Sequence, residues 1–165
     1  MTTTNPSDVP VEIDVPYLNR ILASLDAATG EVVRLVVATK ALPREGYERL
    51  QALYATDELF DLSLGSLSRE ISRGVPGYRD PPGDASTVVV DLITGRPTCA
   101  FARVSRDYSA VSTVAPPSPA ELWVAITPTD PARDQLRLNP VGWAYLYEGT
   151  SSSFGPPSED PCTGR

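Results

Sequence analysis

The sequence predicts an α+β domain in which N-terminal helices pack on one face of a curved four-stranded antiparallel sheet. Two observations predict it. Apolar residues recur every three or four positions up to the Pro-Pro-Gly turn at residues 81–83, and beyond it they alternate or form short β-branched blocks. The pattern does not change back, and a run of helices followed by a run of strands is typical of α+β folds.

Length and composition predict one domain. A chain of 165 residues with 41% apolar side chains can bury a single sizeable core. Residues 1–12 lack periodicity and are predicted to be a flexible lead-in, residues 13–149 form the domain, and residues 150–165 form a polar tail.

The first helix has a clear start and an ambiguous middle. Asp14 is a good N-cap for the apolar stripe that follows it. Thr29 and Gly30 then interrupt that stripe, so residues 31–39 are predicted to be either a bent extension or a second short helix.

Two further helical segments precede the sheet. Pro43 opens one, and Thr56 caps another that ends near Gly74. The predicted buried positions of the two segments are Tyr47, Leu50, Leu53 and Tyr54, then Phe60, Leu64, Leu67 and Ile71.

Strands are predicted at residues 86–94, 98–108, 121–127 and 142–149. A short turn at residues 95–97 joins the first two as a hairpin, and the later connections are longer and rich in proline. Four strands joined in order favour a meander.

Composition excludes several classes of function. A net charge of −7 without any Lys/Arg cluster argues against nucleic acid as a partner. The chain has no histidine, and its two cysteines are far apart, so we predict neither a metal site nor a cofactor. Glycine-rich phosphate loops and a G-x-S-x-G elbow are absent, and no apolar run reaches 18 residues, so membrane insertion of this chain is not expected.

Cys99 begins a predicted strand, and Cys162 lies in a polar segment of the tail, residues 159–163, with no apolar residue able to hold it against a core. In an oxidising compartment the two are predicted to form a disulfide that pins the tail across the sheet and orders the residues after Gly149. The alternative is a pair of unrelated reduced thiols.

Several segments together resemble the nuclear-transport-factor-two-like superfamily. They are residues 17–37, the Pro-Gly-Asp at 82–84, the Arg-Asp-Tyr at 106–108 and residues 138–143 before the last strand. The combination is similar to uncharacterised extracytoplasmic or lipoprotein-like members from high-GC bacteria, over about residues 13–149. The resemblance implies a cone-shaped α+β fold. Some members, such as limonene epoxide hydrolase and polyketide cyclases, are enzymes, and others are non-catalytic envelope domains.

The enzymatic alternative rests on strand alternation. Val89, Asp91 and Ile93 are predicted to share one face of the first strand, and Cys99, Phe101 and Arg103 one face of the second. If these faces coincide, Asp91 and Arg103 meet as a charged pair. A histidine-free epoxide hydrolase of this superfamily uses carboxylates and an arginine to activate water, so Asp91, Arg103 and Tyr145 are the alternative catalytic set. The competing interpretation is a surface ion pair.

Aromatic residues supply the candidate binding surface. Trp143, Tyr145 and Tyr147 alternate along the last strand, and Trp123 lies on the preceding one. They form either the packing surface for the helices or an apolar pocket or partner surface.

The leading hypothesis is a non-catalytic extracytoplasmic domain that engages a protein partner or a small apolar ligand in the cell envelope. The alternative is a small-molecule hydrolase or isomerase that acts in the cone pocket. No signal peptide opens the chain, although a polar start also remains after a signal or anchor is removed, and the sequence leaves a cytoplasmic location open. A homodimer through the open sheet face is plausible for the fold.

Overall fold

A computed structural model describes residues 10–150 and 157–165, with only the backbone of Thr150. It has three helices packed on a four-stranded antiparallel sheet of order β1-β2-β3-β4 that is not closed into a barrel. The predicted α+β class and the meander are confirmed. The elements are α1 (Val15–Thr39), α2 (Arg44–Gln51), α3 (Asp57–Ser72), β1 (Ser86–Arg96), β2 (Cys99–Asp107), β3 (Ala120–Pro128) and β4 (Trp143–Thr150).

Helix α1 is one continuous helix of 25 residues, which decides between the two alternatives for residues 31–39. Asp14 caps it, because its carboxylate accepts a hydrogen bond from the Tyr17 N–H at 2.8 Å. Gly30 is buried inside the helix, and a Cβ there would collide with the carboxylate of Asp84. The glycine therefore does not break the helix. Its missing side chain lets the segment that precedes β1 approach the helix closely.

Helices α2 and α3 begin where the sequence predicts. Thr56 caps α3 by accepting a hydrogen bond from the Leu59 N–H at 3.3 Å. The expectation that Tyr47 is buried is wrong: it is 39% exposed, with its ring edge-on to Phe60 at 5.1 Å. Helix α2 ends before Tyr54, which instead lies in the turn that bonds to β4.

The main core lies between the helices and one face of the sheet, called the inner face. On β2 this face carries Ala100, Ala102 and Val104, and on β3 it carries Leu122, Val124 and Ile126. The long apolar stripe of α1 belongs to the same cluster and contacts the sheet at β1, because burial of both surfaces drives the helix onto the sheet.

A β-bulge changes the predicted alternation of β1. The pairing of β1 with β2 shifts between Val89, opposite Val104, and Asp91, opposite Arg103. Val89 is buried on the inner face, whereas Asp91 shares the opposite, outer face with Arg103. The expectation that Val89 and Asp91 share a face is therefore wrong, because the extra residue Val90 reverses the alternation.

A second bulge divides the aromatic stripe of β4. Tyr145 pairs with Ile126 and Tyr147 with Ala125, so Leu146 is the extra residue. Trp143 and Tyr145 consequently lie in the main core, while Tyr147 packs on the outer face. The predicted single stripe does not exist, because strict alternation fails at the bulge.

The disulfide between Cys99 and Cys162 is confirmed, with a Cα–Cα separation of 5.5 Å. Both cysteines are fully buried in a second cluster on the outer face, together with Phe101 and Ala125. The Thr94 hydroxyl also donates a hydrogen bond to the carboxylate of Asp160 in the tail. The expected ordering of the tail directly after Gly149 concerns residues 151–156, which lie outside the described residues.

Candidate functional site

A cavity of about 1090 Å³ lies between α1, α3 and the inner face of β2 and β4. Its walls are mostly apolar. One group of polar side chains lies where β2 and β4 face α1, and Ser63, Ser66 and Arg69 of α3 also line the cavity. The apolar lining comes from all three helices and from the loop between β2 and β3, and includes Val32, Val33, Leu50, Leu59, Leu62, Leu67 and Val111.

Arg106 forms the centre of the polar end. It follows Ala100, Ala102 and Val104 on the inner face of β2, so the strand carries its guanidinium into the core, where the side chain is 7% exposed. It donates hydrogen bonds to Glu148 at 2.8 Å and to the Thr87 hydroxyl at 2.8 Å, and a longer one to the Tyr145 hydroxyl at 3.3 Å.

Asp26 supplies the second carboxylate. It lies on the sheet-facing side of α1 and accepts two hydrogen bonds from Thr87, one from its N–H at 2.8 Å and one from its hydroxyl at 2.9 Å. Its Oδ1 is 3.9 Å from Nε of Arg106. Burial raises the pKa of Asp26, although the charge of Arg106 and the bonds from Thr87 act against that rise.

Two buried tyrosines line the cavity beside the arginine. Burial raises the pKa of Tyr145 well above its usual range, against the opposing charge of Arg106. Burial likewise raises the pKa of Tyr54, whose hydroxyl donates a hydrogen bond to Ser63 at 2.9 Å. Both tyrosines are therefore neutral O–H donors at physiological pH.

Arg106 stays charged in this surrounding. Burial by itself would lower its pKa, but Tyr145, Glu148 and Tyr108 outweigh burial and hold the pKa well above the usual arginine value. The polar end thus combines one fixed cation with two carboxylates, Asp26 and Glu148, and several hydroxyl groups. Such a group can bind a polar ligand atom or move a proton.

The three alternative catalytic residues do not form one site. Asp91 and Arg103 lie opposite each other on the outer face, and Arg103 pairs with Glu121 at 2.9 Å rather than with Asp91. Tyr145 lies on the inner face, on the other side of the sheet. Arg103 therefore forms a surface ion pair, as the competing interpretation expected, but its partner is Glu121 and not Asp91.

Of the candidate binding aromatics, Tyr145 alone lines the cavity. Trp143 lies deeper in the core, where its indole N–H donates to the Tyr17 hydroxyl at 3.3 Å. Trp123 and Tyr147 pack on the outer face against the cluster that contains the disulfide.

Sequence reasoning missed Asp26, Arg106 and Glu148 as site residues. A signal for two of them is visible in the pattern: Asp26 continues the buried stripe of α1 beside Leu22, and Arg106 continues the alternation of Val104. A charged residue at a position whose period places it in the core is a candidate site residue. Glu148 follows the bulge of β4, so its face could not be read from alternation.

A second, smaller cavity of about 400 Å³ lies between α2 and the loop that joins β3 to β4. Arg133 there donates to the Tyr54 carbonyl at 3.2 Å and to Asp57 at 2.9 Å, so it ties the loop to the turn before α3. These bonds serve the fold, and we place the candidate site in the larger cavity.

Within residues 10–150 and 157–165, no group of three or more acidic or cysteine side chains is placed to hold a metal ion. In the same part of the chain, no helix has the length and apolarity needed to cross a membrane.

Comparison with protein-family models, with curated proteins and with solved structures finds no match for this chain. The class that the fold and the cavity define is an α+β domain with a polar cluster buried at one end of a large apolar cavity. The resemblance to the nuclear-transport-factor-two-like superfamily stays a prediction.

Proposed function

We propose that this protein is a non-catalytic binding domain that holds a small molecule in the cavity between α1, α3 and the sheet. The observation that carries the proposal is the position of Arg106, which is buried at the end of a largely apolar cavity of about 1090 Å³. A concave apolar site with a few convergent polar groups is the usual form of a small-molecule site.

Energetics support a role for the polar cluster beyond stability. Burial of an arginine and two carboxylates carries a desolvation penalty that their mutual attraction only partly offsets, and apolar residues of similar size are often equally stable. The cluster of Arg106, Asp26 and Glu148 also borders the cavity, where a ligand can reach it.

The disulfide supports an extracytoplasmic location for this binding domain. Cys99 and Cys162 are bonded and buried, and structural disulfides persist mainly in oxidising compartments. A location in the cell envelope or outside the cell is accordingly part of the proposal.

Binding of the uncharged dye Nile red tests the proposal, because its fluorescence rises in apolar sites. We expect saturable binding that Ser66→Trp weakens at least about tenfold by placing an indole at the cavity lining. Ser68→Trp is the matched control, since Ser68 is exposed on the same helix and does not line the cavity. Equal binding by both variants, or no saturable binding, would contradict a cavity site.

The two carboxylates beside Arg106 favour a second candidate function, that of a small-molecule hydrolase or isomerase. Asp26 has a raised pKa and suits a general acid, and Glu148, which is 22% exposed, can act as the base. Incubation with a panel of apolar epoxides and unsaturated ketones would show turnover, and Glu148→Gln would abolish turnover while it preserves binding. Nile red binding without turnover of any panel member favours the binding function.

A further inference from the structure

We propose that the polar end of the cavity selects an uncharged ligand with a hydrogen-bond acceptor oxygen, such as a ketone, and rejects carboxylates and ammonium ions. This inference rests on the proposed binding function. It follows from the charges and hydrogen bonds already present at the polar end.

At the polar end, an anionic ligand has no unmatched cation to bind, and the other arginine that lines the cavity, Arg69, is exposed on α3. The guanidinium of Arg106 already contacts Glu148 at 2.8 Å and lies 3.9 Å from Asp26. A ligand carboxylate would be the third anion around one cation, in a protein whose net charge is −7. Repulsion and the cost of desolvation would both oppose its entry.

A cationic ligand is disfavoured by the positive charge of Arg106. At the polar end the rings of Tyr145 and Tyr108 already hold Arg106, whose guanidinium carbon lies 5.7 Å from the ring centre of Tyr145 and 6.0 Å from that of Tyr108. A ligand ammonium would therefore lie beside a buried arginine and without a free face on these two rings. The two carboxylates that would attract it already accept hydrogen bonds, Asp26 from Thr87 and Glu148 from Arg106.

The remaining polar groups at this end of the cavity are hydroxyl donors. The Tyr145 oxygen accepts a hydrogen bond from Arg106, so its own hydrogen points elsewhere, and the described residues offer that hydrogen no acceptor. Tyr108 lines the same cavity, and its hydroxyl accepts only a long bond of 3.5 Å from Arg106. A carbonyl oxygen at this point can accept from both hydroxyl groups without adding charge.

The apolar lining determines how such a ligand lies. Val33 of α1 and Leu59 and Leu67 of α3 also line the cavity, so the apolar body of the ligand would pack against them. Its oxygen would then face Tyr145 and Tyr108.

Four naphthalene probes of similar size test the selectivity on the intact protein by titration calorimetry: naphthalene, 2-acetylnaphthalene, 2-naphthoate and 2-naphthylmethylammonium. We expect the ketone to bind most tightly and each charged probe to bind at least about tenfold more weakly than the ketone. Equal or tighter binding by either charged probe would overturn the inference and leave the binding function standing. Binding by none of the four would overturn the binding function itself.

Tyr145→Phe tests the assigned donor, and Tyr147→Phe is the matched control on the outer face of the same strand. Loss of one hydroxyl donor should weaken the ketone about threefold to tenfold and leave naphthalene unchanged. Tyr108→Phe gives the same comparison at a half-buried position if the first variant unfolds. If both inner variants bind the ketone as the unmodified protein does, the hydroxyl donors are not its partners.

Discussion

Arg106 on β2 and Glu148 on β4 form an ion pair of 2.8 Å that spans the inner face of the intervening strand β3. The pair joins two strands that share no backbone hydrogen bonds. Because both residues line the cavity, the same contact links the stability of the sheet to the geometry of the candidate site.

Two arginines on β2 provide a matched test of that arrangement. Arg106→Leu leaves Glu148 and Asp26 without their cation in a buried place and should lower the free energy of unfolding by about 3–5 kcal/mol. Arg103→Leu removes a pair with Glu121 that is well exposed to solvent, so about 0–1 kcal/mol is expected. Urea unfolding of both variants gives the comparison, and losses of equal size would contradict the assignment of the two faces.

The pH dependence of stability should report on Asp26. Its pKa is raised by burial, so the folded state holds the proton above the ordinary aspartate value of about 3.9, where the unfolded chain releases it. The contribution of this group to stability is full below that value and declines as the pH rises through the raised pKa.

Asp26→Asn should remove that decline, which thermal unfolding from pH 4 to pH 7 would measure. Asp61→Asn, at an exposed position of α3, is the control. An identical pH profile for the unmodified protein and Asp26→Asn would show that Asp26 does not titrate in this way.

The disulfide should contribute strongly to stability. It closes a loop with a sequence separation of 63, for which the chain-entropy model gives about 4 kcal/mol. Cys162→Ser should therefore lower the midpoint of thermal unfolding, and reduction of the unmodified protein should do the same. Mass measurement after thiol labelling checks the bond directly, since two labelled cysteines in oxidised protein would disprove it.

Two helical glycines should respond differently to substitution by alanine. Gly65 is exposed on α3, and nothing lies within 4 Å of the place that an added methyl group would take, so Gly65→Ala should stabilise the protein by about 0.5–1 kcal/mol. Gly30→Ala gains the same helix propensity but displaces the Asp84 carboxylate, which pairs with Arg34 at 2.7 Å.

Chemical unfolding of Gly30→Ala should accordingly show less than half of the gain seen for Gly65→Ala. A larger gain at position 30 would mean that the segment around Asp84 can move away from α1 without loss of stability.

The secondary structure of the segments could be read from local patterns, whereas the site could not. The cap at Asp14, the cap at Thr56 and the bounds of the strands depend on neighbouring residues alone, so the sequence predicts them closely. The faces of Asp91 and Tyr147 depend on bulges whose extra residues carry no marker in the sequence.

By itself, the sequence determined the class of the fold and the order of the strands, because periodicity and chain order leave few alternatives. It left the two cysteines either bonded or reduced, and the structure shows them bonded. Only the tertiary structure decided that Asp26, Arg106 and Glu148 meet. These residues come from α1, β2 and β4, and their contact arises from the register of the sheet and the packing of α1 on it. Alternation indicates on which face of a strand a side chain lies, but not which residues of the opposite layer contact it.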